Sequence, residues 1–242
     1  MERTEWLKHM RNMAEALYDH FAPKYWVDMG LRIDETHREY LQKFLSRVAP
    51  HGALLSAACG AGKYDGMLLD AGHSVVGTDQ SAGMLARARE HFPMARYEKI
   101  GLQEMDFREE FDGAICMDAM EHICPEDWPG IVRGLGKALK PGGVLYFTFW
   151  PREVAGADKV ERAYRRAKEM GLPVVFGEIA DEVEEACRLA IESGKATDES
   201  VYHYCPSIEE VQMWTEQAGL AIEEEGTGDD YEHFVVRKYY KR

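Results

Sequence analysis

Two closely spaced glycines follow an apolar run in the segment LLSAACGAGKYDG, residues 54–66. An apolar strand that ends in glycines and leads into a helix can hold a ligand against its backbone. Glycine allows close approach, and the first amides of a helix are free to donate. Gly60 and Gly62 are therefore candidates to hold the pyrophosphate of NAD or the amino-acid end of S-adenosylmethionine. A tight turn that binds no ligand is the alternative interpretation.

The glycine spacing alone does not choose between these ligands. A dinucleotide-binding loop has the pattern Gly-x-Gly-x-x-Gly, whereas Gly66 comes one position late here. Asp79 ends a second apolar run, VVGTDQS. A carboxylate at the end of that strand can accept hydrogen bonds from the ribose hydroxyls of an adenosine, or it can cap the next helix. An adenosine-containing ligand is favoured, and both cofactors remain open.

These residues need a sheet that brings several strand ends to one edge. Strand and helix patterns alternate from residue 53 to residue 149, which predicts an α/β fold with a doubly wound, mostly parallel sheet. The helix over 128–139 is expected to stop at the Lys-Pro-Gly-Gly turn. The predicted strands are 53–58, 74–78, 94–100, 113–117 and 144–149, and the other predicted helices are 64–71 and 83–91.

The flanking segments do not follow this alternation. Residues 1–50 are predicted to form a helical cover, and residues 152–200 a helical insertion with apolar faces at Val160-Tyr164-Ala167 and from Ile179 to Ile191. We expect the insertion to be a lid over the acceptor pocket, with a dimerisation arm as the alternative. A capped helix over 207–218 and a terminal antiparallel hairpin, 220–224 with 233–238, complete a single domain of 242 residues.

Composition limits the classes of function. The net charge of −14 disfavours a nucleic-acid partner, because the basic groups, such as Arg237-Lys238 and Lys241-Arg242, are short. No run of about eighteen apolar residues predicts a membrane span, and the charged N-terminus does not resemble a secretory signal. Five cysteines without a CxxC pair argue against a disulfide framework or a zinc site. We therefore expect a cytoplasmic protein, a monomer or a homodimer, with no metal.

Further motifs extend the pattern beyond the glycine loop. FDGAICMDAMEHI is followed by ALKPGGVLYFTF, and the N-terminal region contains LYDHFAPKYW. Together with LLSAACGAGK and VVGTDQSAGMLARAR, in this order, they resemble class I S-adenosylmethionine-dependent methyltransferases, and the N-terminal segment resembles the cover of the small-molecule branch. The resemblance implies S-adenosylmethionine as the cofactor. Three positions depart from the pattern: Ser56, Ala58 and Gly101.

The resemblance also implies which residues bind the cofactor. The glycine loop would hold its methionine part, Asp79 its ribose, and the third and fourth strands would contribute to the adenine and methionine ends. Packing alone is the alternative for the aromatic residues and for Cys59. The implied cofactor-binding residues are Tyr18, Trp26, Ala58, Cys59, Gly60, Gly62, Asp79, Gln80, Met84, Leu102, Gln103, Met117 and Asp118.

Acceptor-side candidates follow from the same edge of the sheet, where ligands of open α/β sheets bind. A general base is needed only if the acceptor atom still holds its proton, and His122, His203 and His233 are the candidates. Each of these residues has a structural alternative, as packing or as a helix-end residue. The predicted substrate contacts are Tyr25, Trp150, Glu178, Tyr202, Tyr204 and Tyr231.

The sequence thus favours methyl transfer to oxygen or nitrogen of a small molecule. Two alternatives come from other classes of protein. The departures at Ser56 and Ala58 motivate a non-catalytic cofactor-binding or interaction protein. An NAD-dependent oxidoreductase is less favoured, because Gly66 is misplaced and the Lys-Pro-Gly-Gly turn has no counterpart in its fingerprint.

Overall fold

The computed structural model describes residues 1–197 and 200–239. A seven-stranded sheet has the strand order β3-β2-β1-β4-β5-β9-β8. Strands β1 to β5 are mutually parallel, and β9 and β8 add antiparallel to β5. The predicted fold class is confirmed. The strands of this sheet are β1 Ala53–Ala57, β2 Ser74–Asp79, β3 Arg96–Lys99, β4 Phe111–Cys116, β5 Leu139–Phe149, β8 Leu220–Gly228 and β9 Tyr231–Lys238.

Helices cover both faces of this sheet. Alternate residues of β1 point to opposite faces: Leu55 packs in the cluster of α5, and Leu54 packs in the cluster of α2. The helices are α1 Arg3–Tyr25, α2 Glu35–Leu45, α3 Asp65–Asp70, α4 Ala82–His91, α5 Trp128–Ala138, α6 Arg152–Ala155, α7 Ala157–Glu169, α8 Val183–Ser193 and α9 Ile208–Gln217. A π-helical turn, Trp26–Gly30, follows α1, and a two-stranded sheet joins β6 Glu178–Ile179 to β7 His203–Tyr204.

Three local expectations differ from the structure. Strand β5 begins at Leu139, which pairs with Phe111, and the Pro-Gly-Gly turn forms a bulge before pairing resumes at Val144. Ile179 belongs to β6, because its backbone pairs with His203, and α8 begins only at Val183. Gly226 and Gly228, beyond the predicted end of the strand at residue 224, are paired residues of β8, and the hairpin turns at Asp229-Asp230 with positive φ of 52° and 66°.

The order of the strands sets the place of the site. Strand β1 lies between β2 and β4, so the chain leaves the sheet in opposite directions on either side of this position. Ligands bind at such a switch point, beyond the carboxyl ends of the strands. The residues that follow β1, β2 and β4 therefore meet at one edge.

Two further observations concern the limits of the chain. Among residues 1–197 and 200–239, no helix is both long and apolar enough to cross a bilayer. Lys241 and Arg242, the end of the basic tail, lie outside the described residues.

Candidate active site

The loop after β1 takes left-handed backbone conformations. The φ angles are 50° at Ala58, 53° at Gly60 and 83° at Gly62. The amide of Cys59 donates to the carbonyl of Thr78 at 2.9 Å, and the amide of Gly62 donates to the carbonyl of Cys59 at 2.9 Å. The loop is thus a fixed turn, pinned to β2, whose backbone faces a cavity.

Gly62 shapes this loop and does not line the cavity. A Cβ atom at this position would lie 2.9 Å from the ring of Phe92 and 3.1 Å from the carboxylate of Asp65. The position therefore requires glycine for packing as well as for its φ angle. The structure thus places Gly62 behind the cavity wall, next to Phe92 and Asp65.

Asp79 ties the glycine loop to the start of α4. Its Oδ2 accepts from the amide of Gly60 at 2.9 Å, and its Oδ1 accepts from the amide of Ser81 at 2.8 Å. Burial raises the pKa of Asp79. Because a carboxylate has about four lone-pair positions, Asp79 can also accept from a ligand in the cavity that it lines.

Helix α1 covers the same cavity. The carboxylate of Asp19 accepts from the hydroxyl of Ser81 at 2.5 Å and from the amide of Gly83 at 2.8 Å, which fixes α1 over the N-terminus of α4. Tyr18 contributes to the wall, whereas Trp26 stacks on His91 with ring centroids 3.9 Å apart and stays outside it. The structure therefore does not place Trp26 in the wall of the cavity, because its ring packs against α4.

Most of the implied cofactor residues do meet in this cavity. They come from α1, from the loops after β1, β2, β3 and β4, and from α4. Those that line it are Tyr18, Ala58, Cys59, Gly60, Asp79, Gln80, Met84, Leu102, Gln103, Met117 and Asp118. Sequence reasoning missed Arg11, Lys63 and Tyr64, although Lys63 and Tyr64 follow the glycine loop directly and their position was the available signal.

Comparison with known proteins agrees with this arrangement. Residues 54–143, from β1 into β5, match the family described as methyltransferase domain. Residues 54–143 form a methyltransferase domain. The fold and this match confirm the resemblance to class I S-adenosylmethionine-dependent methyltransferases.

Relatives of the methyltransferase domain share part of their length with this chain. An uncharacterized methyltransferase from Synechocystis is 31% identical over 114 residues, 43% of this chain and 54% of the relative. A ubiquinone biosynthesis O-methyltransferase from Bradyrhizobium is 33% identical over 96 residues, 38% of this chain and 37% of the relative. The matches thus span about half of these relatives or less.

A solved structure shows the same fold over nearly the whole chain. It is the 1,6-didemethyltoxoflavin-N1-methyltransferase of Burkholderia thailandensis, with bound 1,6-didemethyltoxoflavin and S-adenosylhomocysteine. The TM-score is 0.65 at 14% identity, and the match covers 99% of this chain and 92% of the other. The likeness therefore extends to the segments that flank the methyltransferase domain.

Asp118 follows β4 of the methyltransferase domain and collects donors from two elements. Its Oδ1 accepts from Nε2 of His37 at 2.8 Å, and its Oδ2 accepts from Lys63 at 3.0 Å and from the hydroxyl of Tyr64 at 2.5 Å. Burial by itself would raise the pKa of Asp118. The hydrogen bond from His37 and the charge of Lys63 outweigh this effect and hold the pKa of Asp118 well below its usual range. Although burial acts to lower it, the bond to Asp118 raises the pKa of His37.

A second cavity of about 650 Å³ adjoins the first. The two share five wall residues: Tyr18, Tyr25, Lys63, Asp118 and His122. Glu121 and Tyr231 line only the second cavity, as does the loop of residues 194–197 after α8. An acceptor molecule held there would lie next to a ligand in the first cavity.

Two of the predicted base candidates line the second cavity. Nδ1 of His122 lies 3.1 Å from the carbonyl of Tyr202, which can only accept, and Nε2 lies 3.0 Å from the hydroxyl of Tyr18. His203 lies beside it with ring centroids 4.9 Å apart. Burial lowers the pKa of His203 to about 3, so this ring is neutral near pH 7.

His233 does not reach either cavity. It is fully buried, with Nε2 2.9 Å from the carbonyl of Gly228 and Nδ1 2.9 Å from the hydroxyl of Tyr146. Burial lowers the pKa of His233. The structure thus does not bring His233 to the site, because both of its ring nitrogens have partners inside the packing of sheet and helix.

Four predicted substrate contacts also lie elsewhere. Glu178 is fully buried and accepts from Arg3 at 2.7 Å and from the hydroxyl of Tyr202. Tyr204 packs against Gly177, and Trp150 lies edge-on to His203 with centroids 5.4 Å apart, outside both walls. Glu178, Tyr202 and Tyr204 thus anchor the insertion to the rest of the domain. Arg3 of α1 supplies the positive charge that pairs with the buried carboxylate of Glu178.

The departure at Ala58 leads to a stability prediction. An L-residue in the left-handed region costs roughly 1–2 kcal/mol, and glycine recovers this at an entropic cost of about 0.5–1 kcal/mol. Ala58→Gly is therefore expected to raise the melting temperature by about 1–4 °C for a chain of this size. Ala57→Gly in β1 is the matched control and should lower it. A calorimetric scan in which Ala58→Gly melts at or below the parent temperature would contradict the strain.

Proposed function

We propose that the protein transfers a methyl group from S-adenosylmethionine to oxygen or nitrogen of a small molecule. The observation that carries the proposal is the pair of adjoining cavities at the carboxyl ends of β1, β2 and β4, one lined by the glycine loop and Asp79 and the other by aromatic residues. When bound, the cofactor supplies a methyl group on a positively charged sulfur. The protein positions the acceptor and excludes water.

The residues of the first cavity fit an adenosine with an amino-acid tail. Asp79 keeps acceptor positions for ribose hydroxyls, and Met84 and Leu102 provide apolar walls for a base. The left-handed loop at Ala58 to Gly60 presents backbone groups to the tail. Ala58 takes the conformation that a glycine would have, so this departure does not change the shape of the loop.

The insertion forms the outer part of the same proposal. Val160 and Ala167 of α7 are fully buried, and Cys187 of α8 packs with Leu17 of α1. These residues thus hold the segment to the domain, whereas Ile191, at the end of the predicted stripe of α8, is exposed. We propose that residues 152–200 shape the acceptor cavity through the loop of residues 194–197 and that the whole chain works as one domain.

The setting of the protein is proposed from the sequence. Cys59, Cys116, Cys124, Cys187 and Cys205 are free thiols, in keeping with the reducing cytoplasm. We propose a small-molecule acceptor and no nucleic-acid partner, because the net charge is −14. A monomer or a homodimer remains the expectation.

Titration calorimetry tests the cofactor. S-adenosylhomocysteine, the demethylated product, is expected to bind the pure protein with one site per chain, because the first cavity is preformed. NADH is expected neither to bind nor to compete, since the glycine spacing does not fit its pyrophosphate. Absence of heat with S-adenosylhomocysteine at millimolar concentration would refute the proposed function.

A further inference from the structure

Glu121 is a buried carboxylate that the protein satisfies only in part. It lies in the short turn Met120–His122 after β4 and is 3% exposed. Its Oε1 accepts from the hydroxyl of Tyr231 at 3.1 Å. Its Oε2 has no hydrogen-bond partner within residues 1–197 and 200–239. The residue lines the second cavity, and Oε2 itself is buried, so a molecule held there reaches this oxygen when the carboxylate turns toward the cavity.

Among the described residues, no cation forms a hydrogen bond to Oε2 of Glu121. Nε2 of His122 lies 3.9 Å from Oε1 of Glu121, beyond hydrogen-bond distance, and 3.0 Å from the hydroxyl of Tyr18. The neighbouring cations, His37 and Lys63, are bound to Asp118. Burying a carboxylate without partners costs free energy, and burial accordingly raises the pKa of Glu121. A buried polar atom of this kind requires an explanation.

We propose that Oε2 of Glu121 receives the hydrogen of the methyl acceptor, so that the substrate class is molecules with an O–H or N–H donor and not carboxylates. This inference rests on the proposed function and narrows it. A donor that enters the cavity supplies the missing partner of Oε2. An ionised carboxylate brings a second negative charge to the same place and no proton, so Glu121 repels it.

The role of Glu121 in the transfer is to remove one proton. The lone pair of the acceptor atom forms the bond to the methyl carbon, and the carbon–sulfur bond breaks with its electron pair left on sulfur. The acceptor's proton moves to Oε2, which becomes a neutral carboxylic acid. The positive charge of the sulfonium is thereby balanced by the charge that Glu121 loses, and a proton is released to water afterwards.

The rest of the wall favours an aromatic donor. Phe21, Tyr25 and Tyr231 line the cavity together with the ring of His203. Aromatic rings pack against each other edge-to-face or offset, and a planar ring with a hydroxyl can meet both the rings and Oε2. Catechol is therefore the donor probe, and benzoate, of the same size, is the carboxylate probe.

The experiment measures both probes on protein saturated with S-adenosylhomocysteine. Catechol is expected to bind at least about tenfold more tightly than benzoate, as for a hydrogen bond to a charged group. Glu121→Gln keeps the shape and removes the charge, so this preference should disappear while the affinity for S-adenosylhomocysteine stays unchanged. Asp28→Asn removes one charge from the exposed rim of the same cavity and is expected to keep the preference.

The outcomes separate the two proposals. Benzoate that binds as tightly as catechol, catechol that does not bind at millimolar concentration, or an unchanged preference in Glu121→Gln would each overturn the inference. Failure of S-adenosylhomocysteine to bind would count against the proposed function instead. In that case the probe comparison is repeated on the free protein, where it still decides the role of Glu121.

Discussion

Asp79→Ala is expected to weaken the binding of S-adenosylhomocysteine by about 10- to 100-fold, as hydrogen bonds to a charged group contribute about 1.5–3 kcal/mol. The carboxylate has two tasks at this position. It holds the amides of Gly60 and Ser81, and it keeps acceptor positions open toward the cavity. The substitution therefore removes a ligand contact and also releases the loop that surrounds it. Titration calorimetry of the variant and the parent measures the ratio of the dissociation constants.

Asp70→Ala provides the matched control. Asp70 is an exposed aspartate at the end of α3 with the same charge, and it lines neither cavity. Its replacement should leave the dissociation constant unchanged, which excludes a general effect of net charge. An unaltered affinity in Asp79→Ala would instead support the alternative that Asp79 serves only to cap α4.

The cofactor side of the site was predictable because its signals are local. A strand, a glycine loop and a helix follow each other within residues 53–71, and the parallel pairing of β1 with β2 and β4 then brings Asp79 and Asp118 to the same edge. Side-chain spacing along the chain was sufficient here. Trp26 was the exception, because a chain of helical aromatics does not reveal which neighbour each ring will contact.

The acceptor side was less predictable because its contacts join distant segments. Glu178 and Tyr202 lie in or next to the insertion that was expected to cover the acceptor pocket. The carboxylate of Glu178 instead points into the interior, because it pairs with Arg3, 175 residues away in the sequence. His233 lies on β9, and its side chain points into the packing between the sheet and the helices. Which face it occupies depends on the register in which β9 pairs with β5. Glu121 was not predicted, because histidine is the commoner general base and the burial of the neighbouring carboxylate is not visible in the sequence.

The hydrogen-bond partners of Asp118 are the feature of the site that the sequence predicted least. Its position after β4 was expected, whereas its partners were not: His37 comes from α2, and Lys63 and Tyr64 come from the loop after β1. Asp118 also has a positive φ of 52°. The carboxylate therefore links the N-terminal cover to the glycine loop, and its removal should lower both the stability of the fold and the affinity for the cofactor.

Asp118→Asn is expected to destabilise the fold by about 2–4 kcal/mol, which corresponds to about 4–16 °C in melting temperature. The amide cannot compensate the charges of His37 and Lys63, which remain largely buried. The side chain of Asp118 is 22% exposed, and solvent reaches part of the pair, so the lower half of this range is favoured. Thermal and urea unfolding of both proteins measure the difference.

The pH dependence of that difference identifies its cause. The pKa of Asp118 is lowered, so its contribution is complete above the ordinary value of 3.8 and is lost as the pH falls. The pKa of His37 is raised, so its contribution is complete below 6.5 and is lost as the pH rises through the folded-state value. The gap between parent and variant should therefore be widest between pH 3.8 and 6.5, and it should persist in part at higher pH because Lys63 stays charged.

Asp112→Asn is the control for this last prediction. Asp112 lies at the opposite end of β4, holds Lys140 at 2.9 Å and the amide of Ala53 at 2.8 Å, and has a comparable exposure of 27%. It has no histidine partner, so its stability gap should not narrow above pH 6.5, and binding of S-adenosylhomocysteine should not change. If both variants show the same alkaline behaviour, the link between His37 and Asp118 does not stabilise the protein. If the stability gap narrows above pH 6.5 only for Asp118→Asn, α2 and the glycine loop are coupled through the carboxylate of Asp118.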